Sequence, residues 1–200
     1  MKEMRVVLPS IERPKKLPVV LSRNEVRQLL KAPKLLKHHL VLAMLYGCGL
    51  RNFELCNLQL KDLDLERMML HIRQGKGRKD RYVPLCAMQV RGLRKYISAE
   101  RPVTWCFNGN DSKGGPVALS ARGVQWIVKE ARKHSGIQKE VTTHSLRHSY
   151  ATHLLEMGLD IMSVKDLLGH ADIQTTLTYL HVAQLGRQRP FSPLERLYDK

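Results

Sequence analysis

The segment 143–158 reads THSLRHSYATHLLEMG, and its spacing predicts a helix with a cationic start. His144, Arg147 and His148 fall at i, i+3 and i+4, so they project from one face near the first turn. The free N–H groups at a helix start attract anions, and cationic side chains add to that attraction. The segment therefore indicates an anion site, although a solvated basic face is the commoner origin of any single Arg or His.

The rest of the same helix predicts its packing and argues against a metal site. Four apolar residues lie roughly opposite the cationic cluster and are expected to enter the core: Leu146, Tyr150, Leu154 and Met157. Zinc binding by His144 and His148 is disfavoured because the glutamate of an H-E-x-x-H pattern is absent. We therefore expect no metal and no other cofactor.

Patterns outward from this helix predict a mainly α fold with one small antiparallel β-sheet (α+β). A capping box at Ser22 and Glu25 starts a first helix, and further helices are expected at 35–46, 52–58, 120–134, 160–168 and 173–183. A last short helix is expected to start at Ser192. Strands are expected at 68–73, 82–85 and 105–107, before a loop at 108–116.

Length and charge restrict the class of partner. The 200 residues suit one domain, and 34 Lys and Arg against 18 Asp and Glu give a net charge of +16. Such a charge favours polyanions, with nucleic acid ahead of acidic membrane surfaces. The longest uncharged apolar stretch, 40–50, is too short to span a bilayer, and no apolar core follows the charges of the first residues. We therefore predict neither membrane insertion nor a signal peptide.

The four cysteines predict a reducing compartment. Cys48, Cys56, Cys86 and Cys106 are scattered without a C-x-x-C pair, so they are interpreted as ordinary buried thiols and not as zinc ligands. A basic chain without a signal peptide is expected in the cytoplasm or associated with the nucleoid.

Three more segments carry distinctive residues. Arg51 follows a glycine break in GLRNFEL (49–55), and LLGHADIQTTLTYLHV (167–182) holds Gly169-His170 and then Tyr179. The segment 75–85 reads GKGRKDRYVPL, and five basic residues lie within 73–81. So basic a hairpin tip is expected to contact phosphates, with a solvated turn as the alternative.

In order and spacing, these segments and 143–158 resemble the catalytic domain of the tyrosine recombinases, the phage-integrase and Xer-like family. The resemblance covers about Leu21 to Val182 and implies that family's catalytic-domain fold. It also implies a catalytic set: Arg51, Lys76, His144, Arg147, His170 and Tyr179. In the implied reaction Tyr179 attacks a DNA phosphodiester, expels the 5′-hydroxyl and leaves a 3′-phosphotyrosyl enzyme, without metal or ATP. Two arginines suit the non-bridging oxygens because the guanidinium is planar and always charged.

The resemblance assigns roles to the other residues with some alternatives open. Lys76 is the favoured general acid for the 5′ leaving oxygen, and Lys79 on the same turn is its rival. His144 either accepts the proton of the tyrosine or orients the phosphate, and His170 donates a hydrogen bond to a phosphate oxygen. Glu54 either braces the arginine on its helix or forms a surface salt bridge.

The expected organisation is an extended arm or linker at 1–20, a catalytic domain at 21–185 and a tail at 186–200 that is a candidate protomer-exchange helix. The partner is double-stranded DNA, bound by a tetramer, with no membrane and no small-molecule substrate. The expected function is site-specific recombination or integration. Type IB topoisomerase-like relaxation, which shares this chemistry, is one alternative. A DNA-binding fragment is the other, because family members usually carry a core-binding domain before the catalytic one. Whether Tyr179 acts in its own subunit stays open.

Overall fold

The computed structural model describes residues 18–73, 80–110, 115–180 and 182–183. Within these ranges the chain is mostly helical, with five short strands. The helices are α1 (Arg23–Lys31), α2 (Leu36–Gly47), α3 (Asn52–Cys56), α4 (Ala87–Glu100), α5 (Ala121–Ser135), α6 (Thr143–Glu156), α7 (Ile161–Leu168) and α8 (Gln174–Leu177). The strands are β1 (Leu63–Asp64), β2 (Met69–Ile72), β3 (Arg81–Pro84), β4 (Asn108–Asn110) and β5 (Pro116–Ala118). The predicted α+β class is confirmed.

Helix α1 begins as the sequence predicts. The Ser22 hydroxyl accepts a hydrogen bond from the Glu25 amide at 3.2 Å, and the Glu25 carboxylate accepts one from the Ser22 amide at 2.6 Å. This capping box satisfies two backbone donors that no helical carbonyl can reach. Val26 and Leu29 then turn inward and are buried.

Strands β1, β2 and β3 form an antiparallel sheet in that order. Leu70 pairs with Val83, and both side chains are fully buried on the inner face. The register runs to the pair of Ile72 and Arg81, so Arg81 shares the inner face with Val83. The segment between these strands, 74–79, lies outside the described residues, and the predicted catalytic Lys76 lies within it.

Helix α4 has no counterpart among the predicted helices, and the prediction for the segment 105–116 is wrong. Gly92 weakens the helical signal of α4, yet a Cβ there would lie 2.8 Å from Cδ2 of Leu40, so glycine permits close packing against α2. Trp105 makes a single bridge with Gln59 instead of a strand. The predicted loop at 108–116 contains β4 and the start of β5, which pair with each other.

Helix α6 runs through the interior, and ten of its residues are buried. Leu146 joins the main core, while Tyr150 joins a smaller cluster with α7 and Tyr179. Met157 was expected in the core but is 68% exposed, because the helix ends at Glu156.

Three of the cysteines are buried free thiols, and burial raises the pKa of Cys48 and Cys106 to about 12. Cys86 was expected to be buried as well and is exposed, because it lies at the start of α4. None of the helices in the described ranges is long and apolar enough to cross a bilayer. The predicted arm is described only from residue 18, and both the tail at 186–200 and the helix expected at Ser192 lie outside the described residues.

Candidate active site

Gly49 shapes the turn that leads into α3. Its φ is +58°, and a Cβ would lie 2.4 Å from Cδ1 of Tyr150, so only glycine fits without strain. The turn aims the Gly49 carbonyl at Arg147, whose Nη1 donates to it at 2.5 Å. It also sets Arg51 at the start of α3, where its amide and its Nη1 each donate to Glu54 at 2.8 Å.

Arg147 is buried and held on two sides by backbone. Besides the bond to Gly49, its Nη2 donates to the carbonyl of Leu168 at 2.6 Å. Burial lowers the pKa of Arg147 to about 10, and the charge of Arg51 contributes in the same direction while Glu54 opposes it. The guanidinium therefore stays charged at neutral pH in a fixed orientation.

Arg81 also belongs to the site, although no individual role was predicted for it from the sequence. It was counted among the hairpin residues expected to contact phosphates or solvent, yet it is buried. Nη1 and Nη2 donate to the two carboxylate oxygens of Glu54, both at 2.8 Å, and Nε donates to the carbonyl of Leu167 at 2.9 Å. The two-residue period of β3 was the available signal, because Arg81 and the apolar Val83 lie on one face.

Glu54 is the centre of this cluster, and its side chain is 3% exposed. Its carboxylate contacts Arg51 and Arg81 and lies 3.8 Å from Nη1 of Arg147. Burial acts to raise the pKa of Glu54, but hydrogen bonds and charge from Arg81, with help from Arg51 and Arg147, lower it to about 2. Glu54 was expected either to hold Arg51 in position or to form a surface salt bridge. Its buried contacts fit the first alternative and not the second.

Tyr179 follows α8 and is 3% exposed. Its hydroxyl lies 3.1 Å from Nδ1 of His148. Its ring is nearly parallel to that of His170, with centroids 6.2 Å apart. Burial raises the pKa of Tyr179, and the charges of Arg147 and Arg51 oppose that rise.

The two predicted site histidines differ in environment. His170 follows Gly169, whose φ of +61° ends α7, and its Nδ1 lies 2.9 Å from Oγ1 of Thr176. Arg51 donates to the Gly169 carbonyl at 3.3 Å, which ties this turn to α3. His144 is exposed in the first turn of α6, with its ring centroid 6.4 Å from that of His148.

Five of the six predicted site residues thus converge within the described part of the chain: Arg51, His144, Arg147, His170 and Tyr179. The sixth, Lys76, lies outside the described residues. His148 and Arg81 join the site although neither belongs to the six residues of the implied catalytic set. His148 was noticed in the cationic cluster, and its i+4 spacing from His144 was the signal that placed it on the same face. Within the described ranges, no group of three or more His, Cys, Asp or Glu side chains is arranged to hold a metal.

Comparison with known proteins agrees with this geometry. Residues 19–185 match the model of the phage integrase family. A putative integrase/recombinase of Sinorhizobium fredii, y4qK, is 42% identical over 191 residues, which are 96% of this chain and 61% of that protein. Tyrosine recombinase XerA of Thermococcus onnurineus is 40% identical over 171 residues, covering 84% of this chain and 60% of that protein. This chain therefore spans about three fifths of the length of these two relatives.

Solved structures of recombinases have folds similar to that of this chain. The crystal structure of XerA recombinase has a TM-score of 0.79 at 31% identity, covering 92% of this chain and 68% of that one. XerH recombinase, solved as a post-cleavage complex with its palindromic difH substrate, has a TM-score of 0.73 at 27% identity, covering 84% and 51%. With the family match over most of its length, this chain belongs to the phage integrase family, the tyrosine recombinases.

Proposed function

We propose that this chain is a site-specific recombinase or integrase that cleaves and rejoins DNA strands through a 3′-phosphotyrosyl intermediate. The observation that carries the proposal is the buried hydroxyl of Tyr179, which lies 3.1 Å from Nδ1 of His148, the residue after the buried Arg147. A phenol with an ordinary pKa of about 10 is a poor nucleophile at neutral pH. Burial raises the pKa of Tyr179 further, and the charges of Arg51 and Arg147 oppose that rise, so they favour the phenolate that a tyrosine nucleophile forms.

The arginines suit the transition state of phosphoryl transfer. Negative charge grows on the non-bridging oxygens as the phosphorus becomes pentacovalent, and Arg51 and Arg147 would bind those oxygens. The hydrogen bonds from Arg147 to Gly49 and Leu168 fix its position before DNA arrives, so little reorganisation is needed. By analogy with oxyanion donors, the loss of one arginine costs about 3 kcal/mol of transition-state stabilisation, or roughly a hundredfold in rate.

The leaving 5′ oxygen needs a proton, and we assign that role to Lys76, with Lys79 as the rival. Arg81, five residues after Lys76, supports this assignment, because it anchors β3 beside the site. Arg81 donates to Glu54, and Glu54 accepts a hydrogen bond from Arg51. His170 would donate to a phosphate oxygen. The exposed His144 is better placed to orient incoming phosphate than to contact the buried hydroxyl.

We further propose that residues 21–185 act as the catalytic domain, flanked by an arm at 1–20 and a tail at 186–200, and that four chains act together on two DNA duplexes in the cytoplasm. The hydroxyl of Tyr179 lies 3.1 Å from Nδ1 of His148, next to Arg147 in the same chain, which supports cleavage within one subunit. A mixture of Tyr179→Phe and Arg147→Ala chains tests this point. Cleavage within one subunit leaves the mixture inactive, whereas cleavage in a neighbouring subunit restores activity.

Covalent trapping tests the proposed function. The chain is incubated with nicked suicide duplexes from its own genomic flanks, and an SDS-resistant protein–DNA band is sought. We expect a band that disappears with Tyr179→Phe and forms roughly a hundredfold more slowly with Arg147→Ala. Unchanged adduct formation by Tyr179→Phe would refute the proposal. Relaxation of a plasmid without any specific site would favour topoisomerase activity, and salt-sensitive binding without an adduct would favour a binding protein.

A further inference from the structure

His148 occupies the position from which the tyrosine proton can be removed. It lies one helical turn after His144 on α6, half-buried, and its Nδ1 is 3.1 Å from the hydroxyl of Tyr179. The ring centroids of the two residues are 5.5 Å apart at 52°. This distance lies within hydrogen-bond reach, which is the first requirement for a general base.

His144 does not share this placement. It is exposed, and in the described part of the chain the histidine that hydrogen-bonds to the Tyr179 hydroxyl is His148. His170 approaches Tyr179 with the face of its ring, and its Nδ1 is engaged by Thr176. The three histidines therefore differ in their distance and orientation to the Tyr179 hydroxyl, and this difference is not visible in the sequence.

The environment of His148 keeps its ring neutral. Burial lowers the pKa of His148, and the nearby charges of His144 and Arg147 lower it further. A neutral imidazole has one nitrogen that accepts a hydrogen bond, and a proton on Nε2 makes Nδ1 that acceptor. At neutral pH the hydroxyl of Tyr179 can then donate to His148.

We propose that His148 is a catalytic residue that accepts the Tyr179 proton during strand cleavage, a role that rests on the proposed function. As the Tyr179 oxygen bonds to phosphorus, the phenolic proton passes to Nδ1 of His148. The bond from phosphorus to the 5′ oxygen breaks, and that oxygen takes a proton from Lys76. Rejoining reverses both transfers, so His148 returns its proton to the departing tyrosine.

The charge of the transition state makes this transfer feasible. In the free site, His144 and Arg147 on α6 disfavour a further cation at His148. Arg51 on α3 adds positive charge near Tyr179, and His170 faces the ring of that tyrosine. A DNA phosphate adds negative charge at this point, which favours an imidazolium. The base therefore stays neutral in the free enzyme and becomes competent when the substrate is bound.

A measurement without DNA tests the resting hydrogen bond. In ¹⁵N NMR of the full chain, Nδ1 of His148 should resonate as an unprotonated acceptor, and its shift should move in Tyr179→Phe. A protonated Nδ1 at neutral pH would overturn the inference.

Substitutions separate proton transfer from orientation. His148→Asn keeps an acceptor oxygen near the Nδ1 position but cannot take the proton, whereas His148→Ala removes both. We expect both variants to bind DNA normally and to form adduct 10²- to 10⁴-fold more slowly in a single turnover, about the range of general-base catalysis. The matched control is His153→Asn, because Nδ1 of His153 also contacts a tyrosine hydroxyl, that of Tyr46 at 2.9 Å, outside this site. The control should cleave at the wild-type rate per folded molecule.

A modified substrate and the pH profile complete the test. Sulfur in place of the scissile 5′ oxygen leaves without a proton, so it should rescue Lys76→Ala and not His148→Asn. Wild-type cleavage should fall as the pH drops and His148 becomes protonated, and His148→Asn should lose that dependence.

The outcomes of these tests are distinct. Equal rates for wild type and His148→Asn would refute the inference and leave the proposed function intact. A wild-type chain that forms no adduct would refute the proposed function and the proton transfer with it, while the NMR result would still decide the hydrogen bond.

Discussion

The carboxylate of Glu54 balances the charge of three buried or half-buried arginines, and Glu54→Gln tests how much that balance contributes to folding. The amide would keep one acceptor oxygen and point an NH₂ group at Arg51 or Arg81, where donors already face inward. Breaking a buried ion pair from one side costs about 3–5 kcal/mol, because the remaining charges stay buried and unpaired.

The pKa of Glu54 gives an independent magnitude. Folding lowers it from 4.5 to about 2, which corresponds to about 3 kcal/mol at about 1.36 kcal/mol for each pKa unit. Because the folded value is depressed, this stability is fully present above about pH 4.5 and is lost as the pH falls toward 2. We therefore expect Glu54→Gln to lower the free energy of unfolding by about 3–5 kcal/mol at pH 7, and by less as the pH falls below 4.5.

Urea unfolding followed by circular dichroism measures this difference at pH 7, 5 and 3. Glu140→Gln is the matched control, because Glu140 also pairs with an arginine, Arg132 at 2.9 Å, but is 79% exposed. An exposed pair contributes less than about 1 kcal/mol, so the control should stay close to wild type. A Glu54→Gln chain within 1 kcal/mol of wild type (about the error of such a comparison), or a loss independent of pH, would refute the reasoning.

Substitutions at three other positions test single features of the fold by the same unfolding assay. Gly49→Ala should cost about 2–4 kcal/mol, because it combines a left-handed φ with a methyl group pressed against Tyr150; a neutral effect would mean that the turn relaxes freely. Ser22→Ala should cost about 1 kcal/mol through loss of the cap, and Ser22→Gly only a few tenths. Arg81→Lys should cost about 2–3 kcal/mol, because an ammonium cannot hold both oxygens of Glu54 and the Leu167 carbonyl together; wild-type stability would contradict that arrangement.

Local chemistry explains why much of the fold was predictable. The capping box at Ser22 and Glu25, the glycine stops and the periodic apolar residues each act within a few residues, so the chain order of most helices follows from them. The same locality explains the errors. Gly92 weakens the local signal of α4, and its benefit, close packing on Leu40, exists only when two distant segments meet.

The sequence by itself determined the family, the mainly helical fold and the identity of most candidate site residues, because these depend on residue types at fixed spacings. Tertiary structure alone decided their surroundings. It buried Arg81 against Glu54 from 27 residues away, and it set His148 rather than His144 against a tyrosine 31 residues further along. Burial and charge at a point depend on segments that only folding brings together, and they decide which imidazole stays neutral and which carboxylate stays ionised.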